Sequence, residues 1–523
     1  MYSTETYKKP FWAENSGFMT GRDPLGVQNS SITTYGRLLP GMTNLTLRLR
    51  YYGLYLWLLN MYGKDSTLRH EGTLNEHYNF IRRAELIVAF IMREKFPDEL
   101  SIVGSDFTAK HQEDLIMKGF YNIHLGADKN KDTVKGSVYW DYPSGALGQY
   151  YAGSLIALNL IEIESKFFIV YQEGLQLANA FASGISLEKQ NRFLQIIKTG
   201  RLTEDDINFL SDFSINNIKV DSEEWSCYNS VLLNKDGREI NDINGHHTSL
   251  RKETIGLYLK YISTKTGAYE ERSFITSQYK LNLLQKEGDA SFGWYYYYVN
   301  EAFHIALETI FWSILIHLDG NDQEVVKFIK DISQIVIVDS IKNFSVTVDQ
   351  TVFDVWCNNE TKDLVELLDE LEQVVKSPVN SEIAIVMAFK LMFVIYEINE
   401  KRIDELEEFE KKYKVWGQKG RVTENLNVYM RQSLDMSFEL FIEETIKKLI
   451  NDHVNTAYRK MGNGESNLLK FIIEDGVISH VQTMKPRHTS PRLKTVSNFM
   501  QDLFMIDKEN NLTVKGMELL ESI

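Results

Sequence analysis

Three short patterns in this 523-residue sequence hold residue types that could do chemistry. Glu164-Ser165-Lys166, in IEIESK, sets a carboxylate and an ammonium group two residues apart. Magnesium-dependent nucleases place such a pair on a strand and need a further acid upstream to hold the metal, for which Asp141 is the near candidate. HHTSLRKET, from His246 to Thr254, and RHTSPRLKT, from Arg487 to Thr495, repeat a His-x-[Ser/Thr] element of the kind that grips phosphoesters, but both stand ahead of helical segments rather than on strands. GRDPLGVQ has the glycine spacing of a phosphate loop, Gly21 to Gly26, yet Val27 and Gln28 occupy the places of the required lysine and hydroxyl. This excludes nucleotide hydrolysis of the P-loop type, and Asp23 with Pro24 reads as a turn. His304 and His453 read as core histidines. Cys227 and Cys357 lack zinc spacing, so no metal or cofactor is expected.

Two cationic stretches stand out against a net charge of −15. Between Pro24 and Gly63 there is no acid, and Arg37, Arg48 and Arg50 alternate with Tyr35, Tyr51, Tyr52, Tyr55 and Trp57. Arginine among aromatics suits a partner or phosphate contact, and equally suits ion pairs with acids elsewhere in the chain. From Gly476 to Gln501 there is again no acid, and Lys485, Arg487, His488, Arg492 and Lys494 are the candidate DNA-binding residues. Arg492 and Lys494 open a helix, the position from which recognition helices read a groove.

The elements around these residues are mainly helical. Only eight prolines occur and none lies between Pro143 and Pro378. Leu364, Leu367, Leu368 and Leu371 share one helix face, and Thr203 with Asp206 predicts a capping box. FGWYYYYVNEAFHIALETIFWSILIHL is apolar all round and belongs at the centre of a core. A buried helix is predicted from about Thr43 to Tyr62, and NVYMRQSLDMSFELFIEETIKKLIND reads as one long helix. An internal similarity relates residues 155–178 to 500–520: Leu160-Ile161-Glu162 matches Met505-Ile506-Asp507, and Gly174 matches Gly516 at the opening of a helix. Helix, strand, turn, strand, helix in that order predicts two winged-helix-like modules. The division expected is an N-terminal helical domain over 1–135, a winged-helix-like module over 136–185, a central helical domain over 186–420, and a C-terminal helix with a second such module over 421–523. The apolar runs at 45–63 and 383–398 contain arginine or lysine and read as core helices, not membrane spans. The N-terminus has no apolar run of a signal peptide. Two cysteines fit a reducing, cytoplasmic setting.

GRDPLGVQNSSITTYGRLLPGMTNLTLRLRYY and HTSPRLKTVSNFMQDLFMID together resemble uncharacterised accessory proteins of bacterial anti-phage defence operons, over about a fifth of the chain. Winged helices near both ends of a helical chain also resemble kleisin-type subunits, although about 140 residues precede the first module here. The resemblance implies a non-enzymatic subunit that docks on a partner ATPase or nuclease encoded nearby and contacts double-stranded DNA through its C-terminal module. The alternative is a metal-dependent nuclease with a degenerate PD-(D/E)xK-like site at Glu164 and Lys166.

Overall fold

The computed structural model describes residues 23–69, 72–233, 248–265, 269–347, 349–358, 363–415, 419–462 and 468–522. The fold is mainly α, with short strands in small two- and three-stranded sheets. The chain forms two compact units, each discontinuous. One comprises residues up to Tyr35 with Ile275–Thr489, and the other Gly36–Phe274 with Ser490–Ile523.

The first unit is built on helix Asp289–Leu318, the tyrosine helix. Nearly all its residues are buried, and it packs against Ser381–Asn399, Phe438–Gly462 and the Ile403–Lys412 helix. It is long and apolar enough to cross a membrane by length and composition, yet 94% of its most apolar window is buried inside the protein, as in a core helix. Leu364, Leu367, Leu368 and Leu371 are all buried on one face of Leu364–Val374, which is capped by Asp363. A three-stranded antiparallel sheet joins Gln323–Glu324 to the hairpin Phe471–Glu474 and Val477–His480. Asp475 and Gly476 at that turn both have positive φ, the geometry that makes Asp-Gly a two-residue hairpin signal. The long helix expected from Asn427 instead begins at Phe438. The carbonyls of Leu434 and Met436 accept from Phe353 and Val352 N–H, and Phe438 N–H donates to Gln350, so this backbone pairs across rather than along a helix.

The second unit is built on helix Arg50–Lys64, with Trp57 at 1% exposure packed on Phe181, Phe193 and Phe213. The helix starts later than Thr43 because the Thr43 hydroxyl accepts from the N–H of Leu45 and Thr46, a local turn that competes with helix. The capping box at Thr203 and Asp206 is complete in both halves.

Two helix–β–helix modules in this unit match one another closely. In the first, helix Ala152–Ala157 leads to strands Ile161–Glu164 and Phe167–Val170 and helix Gln172–Ser183. In the second, helix Leu493–Asp502 leads to a single bridge between Ile506 and Leu512 and helix Val514–Ser522. Asn159 and Phe504 hold the same left-handed turn, with φ of 55° and 59°. Leu160 N–H donates to Leu155 O, and Met505 N–H to Met500 O; Tyr171 N–H then donates to Leu160 O, and Thr513 N–H to Met505 O. A Cβ on Gly174 would stand 2.2 Å from Leu160 O, and one on Gly516 would stand 2.1 Å from Met505 O. Each glycine is therefore where the helix backbone touches the chain entering the β segment. The internal similarity read at 155–178 and 500–520 is a similarity of backbone geometry.

Candidate functional site

The E-x-K triplet lies at a hairpin tip. Glu164 ends its strand exposed, and Ser165 and Lys166 form the turn with φ of 49° and 72°. Tyr78 Oη donates to Lys166 O at 2.9 Å. Asp141 belongs to a loop, where it accepts from Gly136 N–H at 3.1 Å and lies 3.8 Å from Lys129 Nζ. Among the described residues no group of three or more His, Cys, Asp or Glu side chains is placed to hold a metal ion. Gly21 of the opening loop lies outside the described residues, as do His246 and His247. Asp23 Oδ1 accepts from Val27 N–H at 2.8 Å, which makes the turn expected there. His453 donates from Nδ1 to Pro24 O at 3.0 Å and accepts at Nε2 from Lys470 N–H at 2.9 Å. Both its ring nitrogens are satisfied, as a core histidine requires.

Of the arginines in the acid-free opening stretch, two are consumed inside the second unit. Arg48 pairs with Glu99 at 2.7 Å and Asp502 at 3.2 Å. Arg50 forks onto Glu224 at 3.0 and 3.2 Å and also donates to the carbonyls of Asp212 and Ser214. Burial pushes Glu224 up from its ordinary value, against the pull of Arg50. Arg37 is half-buried at the last turn of helix Asn29–Leu38. The acids that claim Arg48 and Arg50 are remote in sequence, so spacing alone left a phosphate contact open.

The C-terminal cations divide between the units. Lys485, Arg487 and His488 belong to the first; Arg492 and Lys494 belong to the second. Segment 487–489 is clamped to the tyrosine helix by two buried carboxylates. Arg487 N–H donates to Glu308 at 3.0 Å, and Arg487 O accepts from His304 Nε2 at 2.8 Å. Thr489 donates to Glu301 through N–H at 2.9 Å and through its hydroxyl at 2.8 Å. His488 lies 3.3 Å from Glu301 and 2.6 Å from Glu372. His304 is therefore a charged partner, with Nδ1 3.2 Å from Glu301 Oε1. Burial alone would lower it, but Glu301 and Glu308 raise it to about 10, and His488 is raised to about 8 by the same Glu301 with Glu372. The Arg487 side chain is exposed, with no ion pair among the described residues. Lys485 is exposed and donates to Lys376 O at 2.8 Å. In the second unit Arg492 adopts φ 66° just ahead of its helix and reaches Leu39 O at 3.4 Å, while Lys494 is exposed in the first turn.

A cavity of about 370 Å³ in the second unit escaped the sequence reading. Leu59, Tyr62, Phe167, Phe168, Val170 and Leu175 give it apolar walls, and His77 lines it as well. His77 is 2% exposed, within 4.8 Å of the Tyr62 ring and 5.3 Å of Phe167 between centroids. Phe168 N–H points at Nε2 from 3.4 Å, so the proton of the neutral ring belongs on Nδ1, and that buried nitrogen has no hydrogen-bond partner among the described residues. The buried Tyr62 hydroxyl has none among them either. Burial lowers His77 to about 4 and, with Glu76 nearby, raises Tyr62 to about 12, so both are neutral at pH 7. Lys64 and Arg69 are exposed members of the lining. No spacing rule could join residues 59–77 to 167–175; only the packing of the first hairpin does. No family model, curated protein or solved structure matches this chain.

Proposed function

We propose that this chain is a non-enzymatic, mainly helical subunit of a bacterial anti-phage defence complex, that it works in the cytoplasm, and that it docks on a partner ATPase or nuclease. In this reading it touches the phosphates of double-stranded DNA through its C-terminal basic stretch. The winged-helix-like character of the two matched modules belongs to the same reading, supported by their shared helix–β–helix order and glycine contacts. The observation that carries it is the clamp on Arg487. Its backbone N–H and carbonyl are both held by buried groups of the tyrosine helix, and its guanidinium is left in solvent between Lys485 and His488. A rigid backbone that presents cations loses little freedom when they meet an anion. In a chain of net charge −15 such a contact must be local. The defence setting comes from the resemblance of the opening and closing segments.

The test is fluorescence anisotropy with a labelled DNA duplex at two salt concentrations, comparing wild type with the double variant Lys485→Gln/Arg487→Gln. Each lost phosphate contact should lower the slope of log K against log salt by about 0.9, so the variant should lose about 1.8. Neither side chain is buried, so thermal unfolding should be unchanged. Equal affinity and equal slope for the two proteins overturn the DNA contact.

A further inference from the structure

We propose that the groove between helix Ile403–Lys412 and the helical segment 422–433 is a binding site for a small aliphatic zwitterion of the amino-acid class, with a carboxylate and an ammonium group on one carbon. The site lies within the first unit and is independent of the DNA contact. The groove holds about 400 Å³, room for a molecule of that kind. One wall is helix Ile403–Lys412, which brings Glu407 and Lys411 to it one turn apart. The other wall brings Glu424, Asn427, Val428 and Arg431, spaced i, i+3, i+4 and i+7 as on one helix face. That second wall is not a uniform helix. It passes from α at Val422–Asn425 to a π turn at Leu426–Met430 and a 3₁₀ turn at Arg431–Ser433. A π turn inside a helix is rare and is found frequently at functional sites. Here it carries Asn427 and Val428 and leads directly into Arg431.

The charges of the two walls select the ligand. Arg421 lines the groove with its side chain 25% exposed, and lies 3.6 Å from Glu410 Oε2 and 3.8 Å from Glu424 Oε2. Neither contact is short enough to be a hydrogen bond, so among the described residues this half-buried guanidinium is neighbour to two acids and bonded to neither. Asn427 and Arg431 are exposed in the same wall and make no side-chain hydrogen bond or ion pair among the described residues. Two guanidinium groups and an amide with donors to spare call for a carboxylate. The acids of the lining call for a cation. Glu424 gives Oε2 to Gly420 N–H at 3.1 Å, and Glu407 gives Oε2 to Lys411 at 2.9 Å, which leaves Oε1 of each able to accept. Glu410 is occupied: it accepts from Tyr296 Oη at 2.8 Å and from the N–H and hydroxyl of Thr423 at 3.2 and 2.6 Å, and so fixes the wall. An anion alone would meet Glu424 beside Arg421, and a cation alone would meet Arg421 and Arg431. A molecule bearing both charges meets a partner for each. Ile403 and Val428 are the apolar members of the lining and suit an aliphatic side chain.

The experiment uses the full chain with leucine as the probe, measured by isothermal titration calorimetry and thermal shift. Two counterparts each lack one charge: 4-methylpentanoate has no ammonium group, and isopentylamine has no carboxylate. Wild type should bind leucine saturably at one site per chain, and each counterpart about tenfold or more weakly, the scale of one lost hydrogen bond to a charged group. Arg421→Gln should weaken leucine about tenfold and leave isopentylamine no weaker than before. Glu424→Gln should weaken leucine by a similar factor and leave 4-methylpentanoate no weaker. Arg431→Gln, at an exposed position, should weaken leucine about fivefold with the thermal unfolding of the free protein unchanged. If Arg421→Gln fails to fold, Arg431→Gln and Glu424→Gln decide. Absence of saturable leucine binding by wild type overturns the proposal. So does a counterpart that binds as tightly as leucine, or an affinity for leucine unchanged in every folded variant.

Discussion

At the scale of single residues, the polar groups of this protein are committed mainly to one another. Glu85 shows the pattern: fully buried, it accepts from Tyr55 at 2.9 Å, from Tyr139, and from the N–H groups of Ala146 and Leu147, thereby capping the turn that opens the first module. The clamp of His304, His488, Glu301, Glu308 and Glu372 does the same for segment 487–489, and it makes stability depend on pH. Both histidines have folded values above the unfolded value near 6.5, so their contribution is complete below about pH 6.5 and is lost as pH rises through about 8 for His488 and about 10 for His304. Glu308, raised by burial, acts in the same direction, and Asp23 adds to that rise. Glu301 is held well below its ordinary value by the two histidines, so its contribution is lost only as pH falls below about 4.5. Thermal unfolding followed by circular dichroism should show Tm falling by roughly 2–4 °C between pH 6.5 and 8, the scale of a change near 1 kcal/mol in a unit of this size. His488→Gln should make the decline over that interval shallower without abolishing it, because His304 loses its contribution over the same interval and on to about pH 10. An identical profile in wild type and variant would show that His488 does not titrate against the fold.

At the scale of elements, the two matched modules depend on a glycine where a helix meets the chain that precedes its β segment. Gly174→Ala and Gly516→Ala would each press a methyl group into a backbone carbonyl, which cannot move as a side chain can. Each should destabilise by about 1–3 kcal/mol, the usual cost of overpacking. Gly153→Ala is the control: it lies in helix Ala152–Ala157 with open space around it and should stabilise by roughly 0.5–1 kcal/mol. Chemical denaturation of the three variants checks this, and equal effects at all three positions would deny the matched contact. The repeat was visible in sequence because the glycine spacing and the apolar pair are local. The hairpin at Phe471–His480 carries an Asp-Gly turn, a signal equally local in the sequence.

At the scale of the whole molecule, each compact unit is closed by a segment from the far end of the chain. In the second unit Asp502 accepts from Leu49 N–H at 2.9 Å and pairs with Arg48, and Phe499 packs edge-on to Tyr52. A chain ending at Thr489 should therefore expose the start of helix Arg50–Lys64. Removing a buried ion-pair partner costs about 3–5 kcal/mol, so amide exchange there should accelerate by at least a hundredfold. Unchanged protection would mean that the unit closes without its C-terminal segment.

Helical periodicity, the capping box at Thr203, the buried tyrosine helix, the turn at Asp23 and the internal repeat were all legible from residue order, because each rests on contacts within a few residues of chain. Pairing was not. Which acids hold Arg48 and Arg50, the charge carried by His304, the helix break at Leu434–Ser437, the division into two discontinuous units and the cavity at Tyr62 and His77 all depend on residues tens to hundreds of positions apart. Spacing carries no information at that separation; the side chains meet only once apolar burial has brought their elements together.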